Sequence, residues 1–216
     1  MRSYGQYCAV AKALDVLGDR WTLLIVRELL LRDGLRYTDL REALPGIASN
    51  LLADRLRGLE RDGLLRREEA PAPIATTLFH LTERGEEARP VIEALGRWGL
   101  PLMALGPAEA DVFRAQWLAF PSEVFLRDTA PERGSVEIEV RAGEEVGTIR
   151  AEGGAISTRL GRADSAGLIL EGPPHPLLGL LSGRLDREAA EAAGVVAEGD
   201  RRLLRRLQPA AAESRR

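Results

Sequence analysis

Residues 37–67 read Tyr-Thr-Asp-Leu-Arg-Glu-Ala-Leu-Pro-Gly-Ile-Ala-Ser-Asn-Leu-Leu-Ala-Asp-Arg-Leu-Arg-Gly-Leu-Glu-Arg-Asp-Gly-Leu-Leu-Arg-Arg. They form two short helical patterns hinged at Pro45 and Gly46 and closed by Asp62 and Gly63. Thr38 is the expected N-cap of the first helix, which buries Leu40 and Leu44 and ends at Pro45, because a residue before proline is pushed out of the helical region. Ser49 is the expected cap of the second. There Leu52, Leu56 and Leu59 recur at spacings of four and three and form one buried stripe. At about 100° per residue, Asn50, Asp54, Arg57 and Arg61 fall on the opposite face. Such a face suits the major groove, where Asn pairs with an adenine edge and Arg with guanine or a phosphate. It suits an ordinary solvated helix equally well, and the helix alone leaves both readings open.

The flanks narrow the choice. Leu64–Arg67 resumes as a strand, a proline-containing stretch from Glu68 to Ala75 interrupts it, and Thr76–Leu81 returns as a second strand rich in β-formers. A helix-turn-helix followed by a hairpin is a winged helix. Thr82 then caps a long helix with Val91, Ile92, Leu95 and Trp98 on its apolar face, and Pro90 predicts a kink or an early-turn position.

Further residues carry a family resemblance: Tyr4–Cys8, Val10–Gly18 with the following Asp19-Arg20-Trp21, Arg36-Tyr37, Leu44–Ile47, Leu56 with Leu59-Glu60, Gly63-Leu64, Leu81-Thr82 and Trp98-Gly99. Over residues 4–104 the chain resembles the HxlR family of bacterial winged-helix regulators. The resemblance implies a homodimer joined through its N-terminal and long C-terminal helices on a two-fold symmetric operator. It makes Ser49–Arg61 the recognition helix and Glu68–Thr77 the wing. This wing departs from the pattern by lacking a basic tip, and Arg66 and Arg67 on the leading strand are the nearest substitutes. The expected contacts to double-stranded DNA are Arg36, Thr38, Ser49, Asn50, Asp54, Arg57, Arg61, Arg66 and Arg67.

Charge bears on that expectation. The chain has 216 residues, 45% hydrophobic and 29% charged, an ordinary globular composition. Residues 1–104 hold 15 Lys plus Arg and 15 Asp plus Glu, so this half is neutral where DNA-binding domains are often basic. No apolar run is long enough to span a membrane and the N-terminus does not read as a signal peptide, so a cytoplasmic location is expected.

Cys8 is the single cysteine. It reads either as a small apolar residue or, by the resemblance, as a redox sensor near a dimer axis, where an intersubunit disulfide would change the spacing of the recognition helices.

Gly106 and Pro107 mark a boundary, dividing the chain into residues 1–106 and 107–216. Residues 135–141 alternate apolar and charged side chains, and Val146–Arg150 and Ile156–Leu160 follow as strands of an antiparallel meander. Gly167–Leu170 is a fourth strand. Helices are expected from His175 to Leu181, Asp186 to Ala193 and Asp200 to Leu207, bracketing a strand-like Val195-Val196. The fold class is α+β, with helices segregated from an antiparallel sheet. Leu170–Gly172, Leu177–Leu185, Ala192–Gly194 and Glu198–Asp200 resemble the sterol carrier protein domain over residues 110–207, which implies an apolar tunnel. Phe113, Trp117 and Phe120 share one helical face in this reading. With Phe125, Leu177, Leu178 and Leu181 they either pack a core or line a pocket for a hydrophobic small-molecule effector.

Catalysis has little support. His80 and His175 have no metal-ligand partners in sequence, no nucleophile elbow or phosphate-binding loop is present, and Glu137 and Glu139 read as the solvated face of a strand. No cofactor, metal or enzymatic activity is expected. The leading reading is a homodimeric DNA-binding transcription regulator. The alternative is a hydrophobic-ligand carrier that uses its winged helix mainly to dimerise.

Overall fold

The structure, a computed structural model, describes residues 3–71, 75–108, 110–118, 122–123 and 126–209. The chain forms two compact units, Met1–Arg97 and Trp98–Arg216.

In the first unit the order is α1 (Ala9–Leu17), α2 (Thr22–Leu31), β1 (Leu35–Arg36), α3 (Tyr37–Ala43), α4 (Ser49–Arg61), β2 (Leu65–Glu69), β3 (Thr77–Leu81), α5 (Glu83–Glu86) and α6 (Arg89–Gly99). The strands form an antiparallel sheet in the order β1-β3-β2, with Arg66 opposite His80 and Arg67 opposite Phe79. Ile25, Val26, Leu40, Leu44, Leu52, Leu56 and Phe79 are buried, so the leucine stripe read from spacing is the inner face of α4.

Helix α4 stops as its sequence requires. Gly63 takes φ 75°. Leu64 N–H bonds to Leu59 O at 2.9 Å and Gly63 N–H to Glu60 O at 3.1 Å, a Schellman closure that satisfies carbonyls the helix leaves open.

The starts differ from expectation. Arg36, not Thr38, flanks α3, because the Asp39 carboxylate accepts the Arg36 backbone N–H at 3.0 Å and draws the helix start forward. Ala48, not Ser49, flanks α4: its extended backbone presents its carbonyl to Leu52 N–H at 2.9 Å. The single long helix expected after Thr82 is two. Thr82 Oγ1 accepts Gly85 N–H at 3.2 Å and caps α5, the chain breaks at Glu87 and Ala88, and Pro90 occupies the early turn of α6, where a missing N–H costs nothing.

The second unit contains β4 (Leu126–Asp128), β5 (Val136–Ala142), β6 (Glu145–Glu152), β7 (Ala155–Leu160), β8 (Ala166–Glu171), α7 (Pro174–Leu181), α8 (Arg187–Ala192), β9 (Val196–Gly199), α9 (Leu203–Arg206) and β10 (Leu207–Pro209). The mixed α+β class holds, but the sheet is not wholly antiparallel. Its order is β7-β6-β5-β8-β9, and β8 runs parallel to β5. Ile138, Val140, Ile149, Leu168 and Leu170 face the core with Leu177, Leu181 and Ala190 of α7 and α8.

The parallel pair has a visible cause. From the edge strand β7 the chain must pass β6 and β5 to reach the far side of β5, and residues 161–165 make that passage. Their backbone N–H groups find carboxylates on the sheet face: Ala163 donates to Glu139 at 2.8 Å, and Asp164 and Ser165 to Glu137 at 3.1 and 3.4 Å. Glu139 is therefore buried and Glu137 half-buried, not the solvated pair expected. Burial by itself would raise the Glu139 carboxyl, but the Ala163 N–H and the Arg141 guanidinium at 2.6 Å outweigh it and hold the group below the usual carboxylate range.

Two further expectations change. Asp200–Leu207 is not one helix, because Leu207–Pro209 leaves α9 to pair with β4. Phe113 and Trp117 do not share a helical face: Phe113 precedes a short 3-10 turn, Ala115–Leu118, which the Glu145 carboxylate holds by accepting Ala115 N–H at 2.8 Å and Arg114 at 3.0 Å. Phe120 and Phe125 lie outside the described residues.

Candidate nucleic-acid interface

The turn between α3 and α4 places the exposed face of α4. Gly46 takes φ 89°, a backbone that favours glycine, and Ile47 beyond it is buried. The Tyr37 hydroxyl donates to Ser49 O at 2.7 Å, pinning the first turn of α4 to the first turn of α3. Arg55 on α4 pairs with Asp19 before α2. No periodicity argument reveals the Tyr37 contact, since its partner is a backbone carbonyl across the turn.

Asn50, Asp54, Arg57 and Arg61 are exposed on α4, and Thr38, Ser49, Arg36, Arg66 and Arg67 are exposed around it. The arginines all have carboxylate neighbours. Arg57 pairs with Asp54 one turn away; Arg66 reaches Glu68 at 2.8 Å; Arg67 reaches Glu60 at 2.9 Å and lies 5.6 Å from the Phe79 ring centroid. Arg61 is looser, at 3.6 Å from Asp62. Arg36 holds Asp39 at 2.7 Å, which raises the guanidinium pKa and lowers that of the carboxyl. Asn50 Oδ1 accepts Leu51 N–H at 3.0 Å.

The wing repeats the pattern. Its described part carries Glu68 and Glu69, the latter accepting the Thr77 hydroxyl at 2.8 Å, and Ala70 N–H bonds to Thr76 O at 2.8 Å where the hairpin narrows. The expected wing residues 72–74 lie outside the described residues. At its base His80 is buried, with Nδ1 2.7 Å from Asp33 and Nε2 3.5 Å from Glu68. His80 thus has a hydrogen-bond partner, Asp33, that its strand position did not announce.

A family model for the HxlR-like helix-turn-helix matches residues 16–105. YvaP, an uncharacterized HTH-type transcriptional regulator of Bacillus subtilis, is 32% identical over 87 residues, covering 40% of this chain and 80% of YvaP. The chain belongs to the HxlR-like helix-turn-helix family. Another family relative, an uncharacterized HTH-type transcriptional regulator of Synechocystis, is 36% identical over 96 residues, 44% of this chain and 70% of the relative. The solved structure of the reduced form of the transcriptional regulator YodB from B. subtilis aligns with 47% of this chain and all of its own, at 27% identity and a TM-score of 0.41.

Outside the HxlR-like region, Phe113, Leu177, Leu178 and Leu181 do meet in one core cluster. Leu177 and Leu181 are sealed inside it, and Trp117 is half-buried. Leu178 borders a depression of 90 Å³ with Leu100, Met103, His175 and Leu185, well below the roughly 300–1,000 Å³ of small-molecule sites. A larger cleft of 710 Å³ opens in the first unit, bordered by Tyr4, Leu14, Thr22, Arg57 and Arg61. No helix among the described residues is long and apolar enough to cross a membrane.

Proposed function

We propose that the protein is a DNA-binding transcriptional regulator that reads duplex DNA with α4. The observation that carries this is α4 itself: a helix seated by Leu52, Leu56 and Leu59, with Asn50, Arg57 and Arg61 presented to solvent beside the arginines of β2. Relatives named as HTH-type transcriptional regulators support it. In this reading Arg57 and Asn50 address base edges; Arg36, Thr38, Ser49, Arg61, Arg66 and Arg67 address the backbone; and Asp54 orients Arg57.

A homodimer fits the exposed apolar side chains of two helices: Val10 and Leu14 on α1, and Val91, Leu95 and Trp98 on α6. Ile92 alone of the α6 stripe is buried, which leaves the rest available to a second copy. We take the second domain, from residue 107 onward, as sterol-carrier-like, binding a hydrophobic effector or supporting the dimer. Cys8 is exposed and flanks the start of α1, where the N–H groups of Ala11 and Val10 lower its thiol pKa. An oxidant acting there would reset the dimer.

The test is fluorescence anisotropy against the gene's own upstream DNA and against duplexes selected from a random pool. Saturable binding by a dimer, with preference over unrelated DNA, supports the regulator. A second reading draws on the acid-paired arginines and the acidic wing: a hydrophobic-ligand carrier in which the winged helix serves dimerisation. Failure to enrich any sequence, with a lipid-like ligand retained, would favour it.

A further inference from the structure

We infer that Asp54, Glu60 and Glu68 are specificity-determining residues, holding Arg57, Arg67 and Arg66 in intramolecular pairs so that unrelated DNA gains little from phosphate contacts. This rests on the regulator reading of α4 and the wing. Non-specific affinity comes almost entirely from arginine and lysine neutralising phosphates and releasing condensed counterions. Here three of the exposed arginines around α4 already meet a carboxylate: Arg66 Nη1 lies 2.8 Å from Glu68 Oε2, Arg67 Nη2 lies 2.9 Å from Glu60 Oε2, and Arg57 is paired with Asp54. The first pair shares one face of β2, the second bridges α4 to β2, and the third lies along α4.

All three pairs are exposed, with arginine side chains 61% (Arg57), 53% (Arg66) and 40% (Arg67) accessible, so they add little to folding and open readily. Opening them toward a phosphate leaves the carboxylate within a Debye length, about 8 Å at physiological salt, of the same phosphate. The net charge delivered to the backbone is then close to nil. A correct site differs, because a guanine edge accepts two bonds from Arg57 in a direction that Asp54 can brace. The arrangement therefore weakens the sequence-blind part of binding and leaves base contacts to decide. Asp39 differs from the other three: it also bonds the Arg36 backbone N–H at the start of α3, which makes it structural.

The experiment compares the full chain with Asp54→Asn, Glu60→Gln, Glu68→Gln and the triple variant, each checked for an unchanged melting temperature. Binding to a selected duplex and to an unrelated duplex of equal length is followed by anisotropy across a potassium chloride series. The triple variant is expected to bind unrelated DNA about tenfold tighter or more, with the salt slope steeper by roughly 0.9 for each arginine released. Its ratio of selected to unrelated affinity falls. Unchanged affinity and slope on unrelated DNA overturn the inference. The unrelated duplex needs no operator, so this failure is separate from a wild-type chain that enriches no sequence, which would sink the regulator reading instead.

Discussion

Arg206 and Asp128 in the second unit are joined by bonds of 2.8 and 2.9 Å, with side chains only 7% and 0% exposed, while Arg57 and Asp54 on α4 are paired with 61% and 59% of their side chains in solvent. The functional groups are identical and the consequences are not. Arg206 also donates to Gly134 O at 2.8 Å and Arg133 O at 3.2 Å, so all three of its guanidinium nitrogens are engaged. Once sealed from water, neither partner can be removed without leaving an uncompensated charge. In solvent the same contact is weak, screened and easily exchanged for another anion. Burial thus makes one pair a structural clamp and leaves the other available to DNA.

Four outcomes sharpen or break this contrast. Arg206→Met strands Asp128 and should destabilise the second unit by about 3–5 kcal/mol. Hydrogen exchange should show protection lost in β5, β6 and β8 and kept in α2 and α4; uniform loss would mean the clamp is not local to its unit.

Acid should act on the same clamp. Asp128 is held below the usual carboxylate range by Arg206, and Glu139 is also lowered. A depressed carboxyl stabilises the fold above its unfolded value and loses that contribution as pH falls through its folded value. The second unit should therefore keep full stability at neutral pH and lose it as pH drops below about 4, the ordinary carboxylate value. A melt flat through that window would show these groups uncoupled from folding.

Glu139→Gln should cost about 1–3 kcal/mol, since the amide keeps the shape but cannot accept from both Ala163 and Arg141 as a carboxylate does. Its expected signature is faster exchange in residues 161–165. The smallest effect belongs to the exposed pair: Arg57→Ala should change stability by less than about 0.5 kcal/mol. The same variant should weaken specific DNA binding by about 1–3 kcal/mol in anisotropy if Arg57 reads a base. A large stability loss would erase the distinction between the two pairs.

Much of the first unit was legible because its signals are local. The spacing of Leu52, Leu56 and Leu59, the break at Pro45, and the glycine at position 63 each depend on residues within a turn or two, and the structure keeps all three. Helix starts were less legible. Thr38 and Ser49 are good capping types, but whether a residue flanks a helix depends on which neighbour claims the N–H groups, and Asp39 claimed that of Arg36.

In the second unit, alternation identified the strands and their two faces correctly, with Ile138 and Val140 inward. It said nothing of what covers the outer face. A period of two distinguishes sides, not surroundings, so Glu139 looked solvated until residues 161–165 crossed above it. Nor does it choose strand partners: β8 beside β5, and β10 beside β4, are pairings between residues far apart in sequence. The sequence alone determined the helix-turn-helix, its buried stripe, its arginine-bearing face and the mixed α+β class, because these follow from neighbours along the chain. Only the tertiary structure decided which charges are sealed and which stay in water, because burial depends on segments that meet across the fold.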